Sequence, residues 1–256
     1  MTAPGGVPAT PGADEIKEVM RTQRWNGRHA RAYHSYRLLS SRRRWAGLLA
    51  RELADVPPGA EVLEVGSGTG FITEILAGAG FRVRGMDLSP DMLAIARANL
   101  EAAHLGGRVR LAEGDAEALD APDGGVAAVV SRWVLWTLPQ PKRALAEMVR
   151  VLAPGGRVVV IDGRALPTTR WDDWRAALVD MAVAGRLPGW RRPCYARIDA
   201  GLPRLNAAQV ADELRALGLA DVSHRDLPPE ETDGPLKHWL TGSGWQSHLA
   251  TGVKPR

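Results

Sequence analysis

Residues 61–70 read Glu61-Val-Leu-Glu-Val-Gly-Ser-Gly-Thr-Gly70, and no other stretch constrains the fold as tightly. Val62, Leu63 and Val65 make a short apolar run of strand type. Gly66, Gly68 and Gly70 follow at every second position, and Phe71-Ile-Thr-Glu-Ile-Leu76 then opens a helical pattern. The expected unit is a strand, a glycine turn and a helix. A turn without Cβ atoms lets a ligand approach the backbone where the first N–H groups of a helix point outward.

The chain after this unit keeps the same rhythm. A second strand is expected over 82–86, and Asp87 ends it about twenty residues after the first glycine, where a carboxylate can accept both hydroxyls of a ribose. Ser89-Pro90-Asp91 starts a helix to about 103, with serine as cap and proline at the first helical position. A third strand over 108–112 leads into Glu113-Gly-Asp115-Ala-Glu117. Residues 126–130 contain no polar side chain and predict a strand buried on both faces. A helix over 141–152 is closed by Pro154-Gly155-Gly156, and a fifth strand over 157–161 ends at Asp162. Asn206 caps a helix to 217, and 220–227 with 236–241 predict a final antiparallel pair.

This alternation predicts an α/β fold, a Rossmann-like, doubly wound, mostly parallel seven-stranded sheet. Its ligands bind beyond the carboxyl ends of the strands, which carry Glu64, Asp87, Asp115, Ser131 and Asp162. Residues 1–12 are expected to be a disordered tail. Residues 13–55 are expected to form an N-terminal helical lid, with Ile16, Val19 and Met20 at helical spacing and a second amphipathic helix over 38–53. The binding domain would occupy 56–256, with 164–205 as an insertion after strand five, helical between 169 and 184.

Composition excludes several classes. A net charge of +4 rests mostly on arginine without a basic stripe, and Arg42-Arg-Arg44 is expected on a solvated helix face, so no nucleic acid is implied. The single Cys194 rules out an internal disulfide and a multi-cysteine metal site, and is expected to serve as a small hydrophobe. No His/Asp/Glu set has ligand spacing, so no metal is expected. No apolar run reaches the roughly 20 residues that cross a bilayer, and residues 1–12 lack a signal-peptide pattern, so a cytoplasmic protein is expected, a monomer or homodimer.

Four motifs in order resemble the class I S-adenosylmethionine-dependent methyltransferases: Glu64-Val-Gly66-Ser-Gly68-Thr-Gly70, Asp87-Leu88-Ser89, Gly114-Asp115-Ala116-Glu117 and Val151-Leu-Ala-Pro-Gly-Gly156. The likeness is close over 45–162 and is greatest to the branch that modifies small metabolites. It implies S-adenosylmethionine as cofactor. Gly66, Ser67, Gly68 and Gly70 would line its methionine part and Asp87 would hold the ribose. Leu88 or Met92 would cover the adenine, and Asp115, Ala116 and Glu117 would lie at the adenine edge. Glu64 would orient the loop. Trp25 and Tyr33 would form the lid, with Tyr33 reaching the cofactor's carboxylate, and Ser131 would border the site. Each has a plain competitor: Asp115 can cap a turn, Met92 can serve the core, Glu64 can satisfy loop amides.

Catalytic candidates are Tyr33, His34, Ser131, Trp133, Asp162 and Tyr195, with His29 a further possible base and no base required for every acceptor. Trp171, Trp174, Trp190 and Tyr195 would build a planar acceptor pocket, and Arg164, Arg170, Arg191 and Arg192 point to an anionic acceptor. The implied reaction is methyl transfer to a small-molecule acceptor in secondary metabolism. The alternatives are intramolecular cyclisation of the cofactor with release of methylthioadenosine, and an RNA-directed or non-catalytic member. A nicotinamide dehydrogenase is disfavoured because its third glycine should fall at the position of Phe71.

Overall fold

The computed structural model describes residues 11–35, 39–165, 169–184, 201–234, 239 and 245–256. Strand β1 (Glu61–Val65) is central because four of its five residues are buried, with parallel neighbours on both sides. Strands β2 (Arg82–Asp87), β3 (Val109–Glu113), β4 (Val126–Arg132), β5 (Leu152–Ala165), β6 (Ala220–Leu227) and β7 (Trp245–Val253) complete a seven-stranded sheet in the order β3-β2-β1-β4-β5-β7-β6. From β1 the chain winds outward to β3 and then returns to β4 on the other side. Reversal of winding between β1 and β4 opens a crevice at their carboxyl ends. β7 runs antiparallel to both β5 and β6.

Period-two alternation sends neighbouring side chains to opposite faces. Leu63, Val129 and Val158 face α6 (Pro141–Val151) and α8 (Ala207–Ala216), where Leu145, Met148, Val210 and Leu214 are fully buried. Val62, Val130 and Val159 face the other way, onto Trp45 and Leu48 of α3 (Arg42–Glu52) and Ile72 and Leu76 of α4 (Phe71–Gly78). Each such side chain contributes about 1.5–3 kcal/mol through burial. The caps read from sequence form as expected: Ser89 Oγ accepts from Met92 N at the start of α5 (Pro90–Ala102), and Asn206 with Gln209 makes a reciprocal capping box.

Three expectations need correction. The helix expected over 38–53 begins at Arg42, because Ser41 adopts an extended conformation and serves as its cap; residue 38 lies outside the described residues. The Pro154-Gly155-Gly156 segment does not precede strand five but lies within it. Leu152 already pairs with Val126, a register shift absorbs the extra residues, and Gly155 N–H donates to Lys254 O at 2.8 Å. The last strand is Trp245–Val253 instead of 236–241, of which Trp239 alone is described, and it is helical. Polar Gln246, Ser247, His248 and Thr251 interrupt the apolar pattern there, yet His248 and Thr251 are buried because β7 is flanked by strands on both sides.

The N-terminal segment comprises α1 (Ala13–Val19), a π-helical turn at Met20–Arg24 and α2 (Gly27–Ser35). It lies against the carboxyl ends of the strands, where Ser89 Oγ donates to Trp25 O at 2.7 Å. Helix α7 (Arg170–Ala184) follows β5. No helix among the described residues is long and apolar enough to cross a membrane.

Candidate functional site

The glycine turn is tied to β2 by two bonds, since Gly66 and Ser67 N–H both donate to Met86 O at 2.8 Å. Gly66 (φ 75°) and Gly68 (φ 54°) are left-handed, and a Cβ at Gly66 would stand 2.1 Å from Val134 Cγ2. Glycine is thus required by conformation and by space alike. Asp87 closes the turn: Oδ2 accepts from Gly68 N at 2.8 Å and Oδ1 from Ser89 N at 2.9 Å. Burial raises its pKa, and these N–H donors hold the rise back. The Leu88 N–H favours the charged form as well, and the carboxylate retains acceptor capacity for a further donor.

A cavity of about 830 Å³ begins at this turn. Gly66, Gly68, Asp87, Leu88 and Met92 line one end, joined by Asp115 and Ala116 from the β3 side. Trp25 and Tyr33 meet edge to face at 5.6 Å and cover that end. Arg24 links the cover to the far wall, with its guanidinium 5.5 Å from the Trp25 ring and 4.8 Å from Trp136. The remaining lining is apolar and aromatic, formed by Trp133, Trp136, Leu138, Leu227 and Pro228, with Asp233 among them. Asp233 Oδ1 accepts from Trp45 Nε1 at 3.0 Å.

Other expected residues stand behind this wall and do not line it. Glu64 is buried and its Oε2 accepts from Thr73 Oγ1 at 2.5 Å; burial pushes its pKa up to about 8, against the pull of Thr73 and of the Arg132 charge. Glu117 is fully buried, taking the Gln140 N–H at 2.6 Å and pairing with Lys17 at 2.6 Å. Ser67 and Ser131 are buried, and Gly70 caps α4. Asp162 accepts from Gly163 N at 2.8 Å and Trp136 N at 3.0 Å, and burial pushes it up to about 7. It fixes the loop that carries Trp136.

His34 lies 3.5 Å from Asn99 Nδ2, and His29 Nδ1 lies 3.1 Å from Asn26 Oδ1. Of the catalytic candidates, Tyr33 and Trp133 reach the cavity. Tyr195 lies outside the described residues, as do Trp190, Arg191, Arg192 and Cys194 and the side chain of Arg164. Among the described residues, the tryptophans that line the cavity are Trp25, Trp133 and Trp136. Trp171 and Trp174 pack on each other at 6.1 Å and remain 74% and 57% exposed on α7, and Arg170 is exposed too. Arg42 is more than a solvated cation, since it pairs with buried Glu74 at 2.5 Å.

Three residues at the cavity were missed. Lys17 reaches Asp115 Oδ2 at 2.7 Å, and 98 residues of chain separate the pair, so no local pattern announces it. Arg132 lies between Ser131 and Trp133, both expected at the site, and nothing local in the sequence marks it. Asp233 precedes Gly234 and carries the ordinary signature of a turn.

Residues 63–160 match the family described as a methyltransferase domain. Over this stretch the chain is similar to methyltransferase domains. Over 103 residues it is 43% identical to the demethylmenaquinone methyltransferase of Thermus thermophilus, which spans 40% of this chain and 46% of that protein. The corresponding protein of Clavibacter sepedonicus is 29% identical over 188 residues, or 72% and 74% of the two chains. The chain spans about half the length of the first curated relatives it matches. Among solved structures, the chain superposes on Haemonchus contortus phosphoethanolamine N-methyltransferase 2 in complex with phosphomonomethylethanolamine and S-adenosylhomocysteine. The TM-score is 0.71 at 16% identity, covering 96% of this chain and 62% of that one. The [4+2]-cyclase SpnF gives a TM-score of 0.63 at 19% identity, covering 98% and 99%. At these identities the likeness is one of fold, and it agrees with the Rossmann-like sheet read from sequence.

Proposed function

We propose that the chain binds S-adenosylmethionine at the glycine turn and transfers its methyl group to a small, largely apolar, planar acceptor of secondary metabolism, held at the aromatic end of the cavity. The observation that carries this reading is the continuity of one cavity from Gly66 and Asp87 to Trp133 and Trp136. The residues present suit the cofactor. The turn has no Cβ at Gly66 or Gly68, where the methionine part would lie. Asp87 retains acceptor capacity for the ribose hydroxyls, Leu88 and Met92 would flank the adenine, and Asp115 with the Ala116 amide would meet its edge.

When bound, the cofactor supplies a methyl group already activated by its sulfonium. The work of the protein is therefore alignment and exclusion of water. Trp25 and Tyr33 act as the lid, and Arg24 ties them to Trp136. Glu64, Glu117 and Asp162 hold the walls. Asp233 is placed to take the proton of an acceptor hydroxyl at the far end. A quinol-type ring fits this chamber's aromatic walls, and relatives named demethylmenaquinone methyltransferase support that class.

The test is to incubate the protein with S-adenosylmethionine, with and without a demethylated naphthoquinol, and to analyse the products. Methylated acceptor with S-adenosylhomocysteine supports the reading. Methylthioadenosine formed without any acceptor overturns it in favour of cyclisation, and tight, salt-sensitive RNA binding in its place overturns the small-molecule acceptor.

A further inference from the structure

We propose that Arg132 is the anchor for a carboxylate at the glycine-turn end of the cavity, namely that of the cofactor's amino-acid part. This assignment rests on the cofactor reading above. Arg132 ends β4, next to Ser131, which pairs with Val65 immediately before the turn. Its guanidinium carbon lies 4.2 Å from the Trp133 ring, 5.0 Å from Trp45 and 5.2 Å from Phe71. It also lines the cavity.

The hydrogen bonding of this group is incomplete. Nη2 reaches the Tyr33 hydroxyl only at 3.5 Å, and Nη1 is buried with no hydrogen-bond partner among the described residues. Glu64 feels the charge of Arg132, but its Oε2 is engaged by Thr73. Aromatic faces attract a guanidinium but cannot accept its in-plane N–H groups in the way an oxygen does. The three rings therefore hold the fork in place while leaving its edge unsatisfied. A planar anion accepting two parallel N–H bonds completes such a site.

Position selects the anion. The Tyr33 ring lies 4.0 Å from where a Cβ of Gly68 would be, and the Tyr33 hydroxyl is the nearest polar neighbour of the fork, so the fork stands beside the turn, where the Trp133 wall begins. Ser67 Oγ and Ser131 Oγ are likewise buried without a hydrogen-bond partner among the described residues, both at these strand ends. In the proposed cofactor the one carboxylate belongs to the methionine part, which the glycine turn receives.

Binding of S-adenosylmethionine and of its decarboxylated analogue to the full chain tests this by titration calorimetry. The intact cofactor should bind wild type at least about 30-fold more tightly, the worth of a bidentate charged pair. Arg132→Met keeps the stem between the rings and removes the fork. It should lose about 30-fold on the intact cofactor and less than about threefold on the analogue. Arg132→Lys should recover part of the loss. Should Arg132→Met not fold, Arg132→Lys and Tyr33→Phe carry the same comparison. Equal wild-type affinity for both ligands, or equal losses on both in the variants, overturns the anchor and leaves the cofactor reading standing. Wild type that binds neither ligand overturns the cofactor reading itself.

Discussion

Lys17 Nζ lies 2.7 Å from Asp115 Oδ2 and 2.6 Å from Glu117 Oε2, and so fastens the first helix to the end of the third strand. Glu117 is fully buried, and an unpaired buried carboxylate is costly. Lys17→Met should therefore cost about 1–3 kcal/mol in urea unfolding and open residues 13–25 to limited proteolysis. Lys142→Met, which removes an exposed pair with Glu213, is the control and should cost less than about 0.5 kcal/mol. Burial opposes the charge on Lys17, but its bonds to Asp115 and Glu117 win and raise its pKa. The contribution is thus complete below about pH 10.5 and is lost as pH rises through the higher folded value. Equal stability of the two variants would refute the fastening.

Glu64 predicts a loss of stability in the opposite region of the pH scale to acid unfolding. Burial is the main cause that lifts its pKa from 4.5 to about 8, against Thr73 and the Arg132 charge. Because the folded value is the higher, the stabilising effect of the proton is complete below about pH 4.5 and disappears as pH climbs through about 8. In ligand-free protein, Glu64→Gln keeps an acceptor for Thr73 and carries no charge, so its unfolding free energy should fall less than that of wild type across this window. Asp162 acts in the same direction in both proteins and cancels in the difference. Parallel pH profiles would show that Glu64 is ionised in the fold throughout.

Local encoding explains what was readable in the sequence. The glycine turn, the Ser89 and Asn206 caps and the buried β4 are each determined by residues a few positions apart, and all form as expected. Asp87 was legible because a strand end and a turn fix its place. Arg132 and Asp233 were not, since what distinguishes them is contact with Trp45 on α3, far from both in sequence. β7 was misplaced for the same reason: its polar residues are buried by strands on either side, and hydropathy cannot report such neighbours. Of the four aromatics expected to build an acceptor pocket, Trp171 and Trp174 are exposed on α7, which aromatic content alone cannot report, and Trp190 and Tyr195 lie outside the described residues.

Gly66 and Gly59 share a φ of 75° and differ in their surroundings. A Cβ at Gly59 meets nothing within 4 Å, while one at Gly66 stands 2.1 Å from Val134 Cγ2. Gly59→Ala should thus cost about 1–2 kcal/mol, the left-handed penalty alone. Gly66→Ala should cost about 1–3 kcal/mol more, because the short Val134 side chain must move. Val134 lines the cavity, so Gly66→Ala should also weaken binding of S-adenosylhomocysteine while Gly59→Ala leaves it unchanged. Equal unfolding midpoints for the two variants would mean that Val134 yields freely.

Asp233 lines the same cavity as Asp87 and Asp115 but is held by a different kind of partner. Asp87 is held by backbone N–H groups and Asp115 by Lys17, both at the glycine-turn end, whereas Asp233 accepts from Trp45 Nε1 beside the aromatic chamber. An asparagine there can still accept from Trp45, so Asp233→Asn should preserve the fold and remove only the proton acceptor. With a hydroxyl-bearing acceptor, kcat should fall by about 10²–10⁴, the usual worth of a positioned base. Affinity for S-adenosylhomocysteine should stay within about twofold, since the glycine turn and Asp87 are untouched by the substitution. With a thiolate acceptor, which arrives already deprotonated, the variant should keep most of its activity. An unchanged kcat on the hydroxyl acceptor, or an equal loss on both acceptors, would place the proton elsewhere and reduce Asp233 to a fastening for Trp45.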